Sequence, residues 1–112
     1  ADLIEAAEAD TGLTIAALRI DGGMSENPTF TQALANASGR NVEVSPVTEA
    51  TTLGAGYMAG LAVGTWTHLD QVADSWSPAL VVEPTGSLDR DRWHQAVQRA
   101  ARWIPDLSAL DF

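Results

Sequence analysis

At 112 residues the chain has the length of one domain and can bury a modest core. Its formal charge is −9, all six basic residues are arginine, and 46% of its residues are hydrophobic. That balance argues for a folded segment and against binding to nucleic acid or to anionic membranes.

The sequence has no cysteine, which excludes disulfides and thiolate metal sites and fits a cytoplasmic protein. The longest uncharged apolar run, Leu53 to Trp66, has 14 residues; a membrane span needs roughly 20. No signal peptide pattern is visible. The chain opens without Met, directly in a helical pattern, as a segment cut from something longer would.

In chain order, Asp2 to Ala9 carries Leu3, Ile4, Ala6 and Ala7 at helical spacing, and Gly12 stands where a helix C-terminal glycine belongs. From Leu13 to Ile20 apolar residues fall on both parities, which predicts a parallel strand with neither face wet, its core near Ile15–Asp21. Asn27 before Pro28 predicts an N-cap and first helical residue. Phe30, Ala33, Leu34 and Ala37 then form an apolar stripe that ends at Gly39.

Val42–Ser45 reads as a second strand ended by Pro46, and Thr48 or Glu49 opens the next helix. In that helix Gly56, Gly60 and Gly64 recur every fourth residue, a spacing that predicts close approach to a neighbouring strand or helix. Asp70 to Trp76 reads as a short helix and Ser77 to Gly86 as loop. Asp89 to Ile104 reads as an amphipathic helix with Trp93, Val97, Ala100 and Ile104 on one face and Pro105 ending it. This alternation predicts an α/β fold, a short and mainly parallel sheet covered by helices.

Chemistry concentrates at Gly22-Gly23, between the first strand and the Asn27-capped helix. Backbone without Cβ atoms admits a ligand closely, and a helix N-terminus attracts an anion. A tight turn with Asn27 serving only as cap explains the same residues, and Asp21 and Glu26 would repel a phosphate. No G-x-G-x-x-G and no P-loop lysine occurs. His68 and His94 have no ligand spacing around them, the four tryptophans Trp66, Trp76, Trp93 and Trp103 read as packing anchors, and no catalytic set assembles.

Three blocks in order nevertheless resemble the C-terminal end of FGGY-family carbohydrate kinases. They are Leu18-Arg-Ile-Asp-Gly-Gly23 with Asn27, Glu49 to Trp66 (above all Ala59-Gly-Leu-Ala-Val-Gly-Thr-Trp66), and Trp93-His-Gln-Ala-Val-Gln-Arg-Ala100 with Trp103. The likeness implies a partial actin-like (ribonuclease H-like) C-terminal domain. Residues 1–104 would belong to the family's nucleotide-binding domain and 105–112 would be a tail. It implies transfer of the γ-phosphoryl of ATP to glycerol or a related polyol, with ATP and Mg2+ as cofactors, in a cytoplasmic homo-oligomer that binds no nucleic acid and no membrane. Another FGGY sugar kinase, such as a pentulose kinase, and a non-catalytic actin-like nucleotide-binding module are the alternatives.

By position, the resemblance sets Gly22 and Gly23 near the α-phosphate and ribose, Asn27 against the adenosine, and Met24 in the adenine-side wall. The family's phosphate-gripping hairpin, catalytic aspartate and polyol-binding residues lie upstream. No catalytic residue and no metal ligand is therefore expected among these 112 residues, and the segment alone should be inactive.

Overall fold

The computed structural model describes residues 1–101. Trp103, Ile104 and the tail at 105–112 lie outside the described residues. Helix α1 (Asp2–Thr11) precedes strand β1 (Ala17–Ile20), and a 3-10 turn (Gly23–Glu26) leads to α2 (Pro28–Ser38) and β2 (Asn41–Val44). The chain continues through α3 (Ala50–Ala62), α4 (Leu69–Asp74), β3 (Leu80–Val82) and α5 (Arg90–Ala101).

The α/β architecture is as the sequence predicts, and its helix ends follow local chemistry. Gly12 and Gly39 terminate α1 and α2 in the left-handed region, at φ 69° and 65°. Each donates its N–H to the carbonyl four residues earlier, at 2.8 Å. Asn27 sits in extended backbone, and its Oδ1 accepts from Thr29 N at 3.0 Å and Phe30 N at 3.3 Å.

The sheet has order β1-β2-β3, with β1 and β2 parallel and β2 and β3 antiparallel. Leu80–Val82 is thus a strand inside the segment expected to be loop. Register fixes the two faces. Leu18 and Ile20 stand beside Val42 and Val44, which stand beside Val82 and Leu80. On the opposite face Arg19 stands beside Glu43, and their side chains pair at 3.1 Å.

So β1 is not a strand dry on both sides. One face is apolar and continues the sheet face that α2 packs on at β2 and β3; the other carries an exposed ion pair. The α2 side that reaches the sheet also differs from the expected stripe. Thr31, Ala35 and Ser38 are buried, whereas Phe30 and Ala33 are exposed. The two hydroxyls tolerate burial because each bonds a helix carbonyl: Thr31 Oγ1 to Pro28 O at 3.2 Å and Ser38 Oγ to Ala35 O at 3.3 Å.

Arg40, at the end of α2, braces this unit. Its Nε donates to Ile15 O at 2.7 Å, its Nη1 to Ser38 O at 2.7 Å, and its Nη2 to Glu8 Oε2 at 2.7 Å. Glu8 Oε1 in turn accepts from Ile15 N at 2.8 Å. That backbone N–H bond, followed by Arg40, holds the Glu8 carboxyl below the usual carboxylate range, against an opposing contribution from partial burial. Asn36 ties α2 to the chain after β3, its Oδ1 accepting from Thr85 N at 2.8 Å and Gly86 N at 3.1 Å.

The glycine series of α3 acts differently from expectation. Gly64 takes φ 80° just beyond the helix, and the chain folds back so that Thr65 N donates to Gly60 O at 2.8 Å. Trp66 then lies on Gly60, where a Cβ would overlap the indole, and meets Tyr57 edge-on at a centroid distance of 5.3 Å. A Cβ at Gly56 would meet nothing within 4 Å. Gly60 alone of the series is closely packed, and it seats the helix's own following tryptophan rather than a neighbouring element. None of the described helices is long and apolar enough to cross a membrane.

Candidate functional site

The parallel pair brings two loops to one end of the sheet. β1 runs out into Asp21-Gly22-Gly23, and β2 runs into Ser45–Glu49 and the start of α3. The carboxyl ends of parallel strands are where α/β folds open a crevice for ligands. Here Ser45 N donates to Ile20 O at 2.8 Å and keeps the two exits together.

Gly22 has φ 82° and ψ 173°, a combination open to glycine alone. Gly23 has no positive φ, and a Cβ there would meet nothing within 4 Å. The two glycines therefore differ: the fold itself requires Gly22, whereas nothing in the described chain requires Gly23 to lack a side chain. Ser25, buried beneath the loop, closes it by donating its N–H to Gly22 O at 3.0 Å and its Oγ–H to the same oxygen at 2.6 Å. Asn27 N donates to Met24 O at 3.1 Å, and the Met24 side chain is 57% exposed.

All four expected site residues thus occupy one short loop. Gly23, Met24 and Asn27 are exposed and Gly22 is half-buried. The cap takes Asn27 Oδ1, which leaves the side-chain Nδ2 to donate outward. Sequence reasoning missed Ser25, whose signal is a hydroxyl three residues after a glycine that needs positive φ. It also missed the brace from Arg40 to Glu8, which joins residues far apart in the chain.

Beside the loop lies a shallow cleft of about 120 Å³ lined by Arg19, Ile20, Asp21, Ser45, Ala50 and Trp76. The Arg19 guanidinium stacks 3.9 Å from the Trp76 ring centroid and brings the cleft its cation. A larger apolar groove of about 430 Å³ opens between α1, α2 and α5, lined by Leu3, Ala33, Ala37, Leu88 and Trp93 among others. At its rim Trp93 Nε1 donates to Asp2 Oδ2 at 2.8 Å, and Arg90 pairs with Asp2 and with Glu5. The indole bond first, then Arg90, hold the Asp2 carboxyl below its usual range. Among the described residues no three His, Asp or Glu side chains converge as a metal site.

Comparison with known proteins gives a consistent picture. The model of the FGGY family of carbohydrate kinases, C-terminal domain, matches residues 1–63. The glycerol kinase of Nitratidesulfovibrio vulgaris is 40% identical over 108 residues, covering 92% of this chain. That of Deinococcus radiodurans is 42% identical over 115 residues, covering 97%. The crystal structure of Plasmodium falciparum glycerol kinase with ADP superposes over 98% of this chain with a TM-score of 0.68 at 29% identity. The chain spans about a fifth of these relatives, 22% or 23% of their length. The likeness to glycerol kinase gives the small α/β unit its wider setting, the actin-like ATPase fold.

Proposed function

Because the chain belongs to the FGGY family of carbohydrate kinases, as part of the family's C-terminal domain, we propose that it forms the adenosine side of the nucleotide cleft in an ATP-dependent glycerol kinase. In that reading Gly22 and Gly23 approach the α-phosphate and ribose, Asn27 donates its side-chain amide to the adenosine, and Met24 packs at the adenine edge. The observation that carries the reading is the asymmetry of the two glycines. Gly22 shapes the turn through its positive φ, Gly23 has no such backbone demand, and a Cβ at either would meet nothing within 4 Å, so the loop leaves open space outside the protein where a ligand would lie. The Asn27 cap supports it by fixing the start of α2 beside the loop.

The reaction moves the γ-phosphoryl of ATP to a glycerol hydroxyl, and this segment's part is binding and orientation. Mg2+ would enter with the nucleotide phosphates; among the described residues no three His, Asp or Glu side chains converge to hold it. The same proposal includes a cytoplasmic setting, where ATP is supplied, and a boundary near residue 104 for the nucleotide-binding unit.

The test uses a complete kinase that carries this chain, the Deinococcus radiodurans enzyme with its matched segment exchanged for these 112 residues. Gly23→Val is expected to raise the KM for ATP at least ten-fold and to leave the KM for glycerol within two-fold. Equal effects on both constants would contradict a nucleotide-facing loop.

A further inference from the structure

Ser25 is 5% exposed, although Met24 and Glu26 on either side of it are exposed. Both of its donors end on one atom: its N–H and its Oγ–H reach Gly22 O, at 3.0 Å and 2.6 Å. A turn needs only the first of these bonds, since an N–H three residues on closes it. The hydroxyl adds a second bond to the same oxygen, and a carbonyl has two lone pairs to accept both. The other edge of that peptide is open. The Gly22–Gly23 bond is trans, so its C=O and N–H point in opposite directions. With the carbonyl drawn inward to Ser25, the Gly23 N–H is turned to the outer side of the loop, and it has no acceptor among the described residues.

We propose that Ser25 is a positioning residue for the nucleotide: its hydroxyl fixes the plane of the Gly22–Gly23 peptide, so that the Gly23 N–H is aimed at an oxygen of the bound nucleotide. This role rests on the reading of the loop as nucleotide-facing, and it adds a side chain that touches no ligand itself. A peptide between two glycines is the easiest kind to turn over, because neither neighbour has a Cβ to resist the rotation. The turn's own N–H bond is one tether, and the Ser25 hydroxyl is the second. A plane turned over would present the Gly22 carbonyl outward, an acceptor where the phosphate and ribose of a nucleotide bring acceptors of their own. Holding the donor in place before the nucleotide arrives removes that ordering cost from binding.

Steady-state kinetics of the Deinococcus radiodurans kinase carrying these 112 residues test the proposal. Ser25→Ala removes the Oγ bond and keeps the N–H bond. It is expected to raise the KM for ATP about five-fold, the worth of one hydrogen bond, and to leave the KM for glycerol within about two-fold. Ser38→Ala is the control. It removes a similarly buried hydroxyl, bonded to Ala35 O at 3.3 Å at the far end of α2, and should leave both constants unchanged. Ser25→Cys, whose thiol is a weaker donor, should fall between the parent and Ser25→Ala, and it decides the matter if the alanine variant does not fold. An unchanged KM for ATP in the variant so read would overturn the proposal. So would an equal rise in both constants, or the same rise in Ser38→Ala. If Gly23→Val raises the KM for ATP and Ser25→Ala does not, the role of Ser25 falls and the nucleotide-facing loop stands. If neither raises it, both fall.

Discussion

The β1–α2–β2 unit and helix α3 follow each other in the chain and have opposite relations to their own sequence. In the first, every helix end is capped, hydroxyls are buried only where they bond a carbonyl, and Ala35, Val42 and Val44 form a dry centre. In the second, an uncharged apolar helix lies open, with Trp66 packed on Gly60 as its main tertiary support. The first region satisfies its side chains from within the segment. The second leaves Ala55, Met58, Ala59 and Val63 exposed. Within forty residues the chain therefore passes from a unit with a buried centre to a helix whose apolar residues are largely exposed.

The largest expected effect lies where the open helix is locally closed. Gly60→Val should cost about 3 kcal/mol in a denaturant melt, because the new side chain must displace the Trp66 ring. Gly56→Ala, facing open space in the same helix, should stabilise the chain by about 0.5–1 kcal/mol. If the two substitutions behaved alike, the assignment of Gly60 to Trp66 would be wrong.

Next, Val42→Ala should cost about 2 kcal/mol through loss of fully buried contacts, and Met58→Ala in the chain alone should stay within about 0.5 kcal/mol. A reversed order would place the centre of the fold on α3. Asn27→Ala should cost about 1 kcal/mol by leaving the N–H groups of Thr29 and Phe30 without their acceptor.

The smallest effect is on pH dependence. Glu8 and Asp2 have carboxyls held below their unfolded values. Their contribution is complete above the ordinary carboxylate pKa of about 4, and it is lost as pH falls through the lower folded values. Glu8→Gln should flatten the acid limb of a stability–pH curve relative to the parent. An unchanged limb would show that the Glu8–Arg40 brace contributes nothing to folding.

These contrasts also mark what the sequence discloses. Gly12, Gly39 and the Asn27-Pro28 pair were legible because caps depend on chemistry within four residues. Strand β3 was not: Leu80-Val81-Val82 lies between Pro78 and Pro84, and its status comes from pairing with β2, about forty residues away. The buried side of α2 was misread because Thr31 and Ser38 count as polar in any pattern, yet satisfy their hydroxyls on their own helix. Of the glycine series only Gly60 is closely packed, and its partner, Trp66, comes from the chain just after the same helix rather than from a neighbouring element. At the candidate site the glycine turn and the Asn27 cap were legible, while the difference between Gly22 and Gly23 needed backbone angles.

The most direct measurement of the central claim is hydrogen–deuterium exchange of the complete kinase carrying this chain, with and without saturating ADP. We expect the peptide spanning residues 18–30, with Gly22, Gly23, Met24 and Asn27, to exchange at least ten-fold more slowly when ADP is bound, and the α5 peptide, residues 90–101, to be unchanged. ADP binding that leaves residues 18–30 exchanging at their original rate would contradict a nucleotide-facing loop.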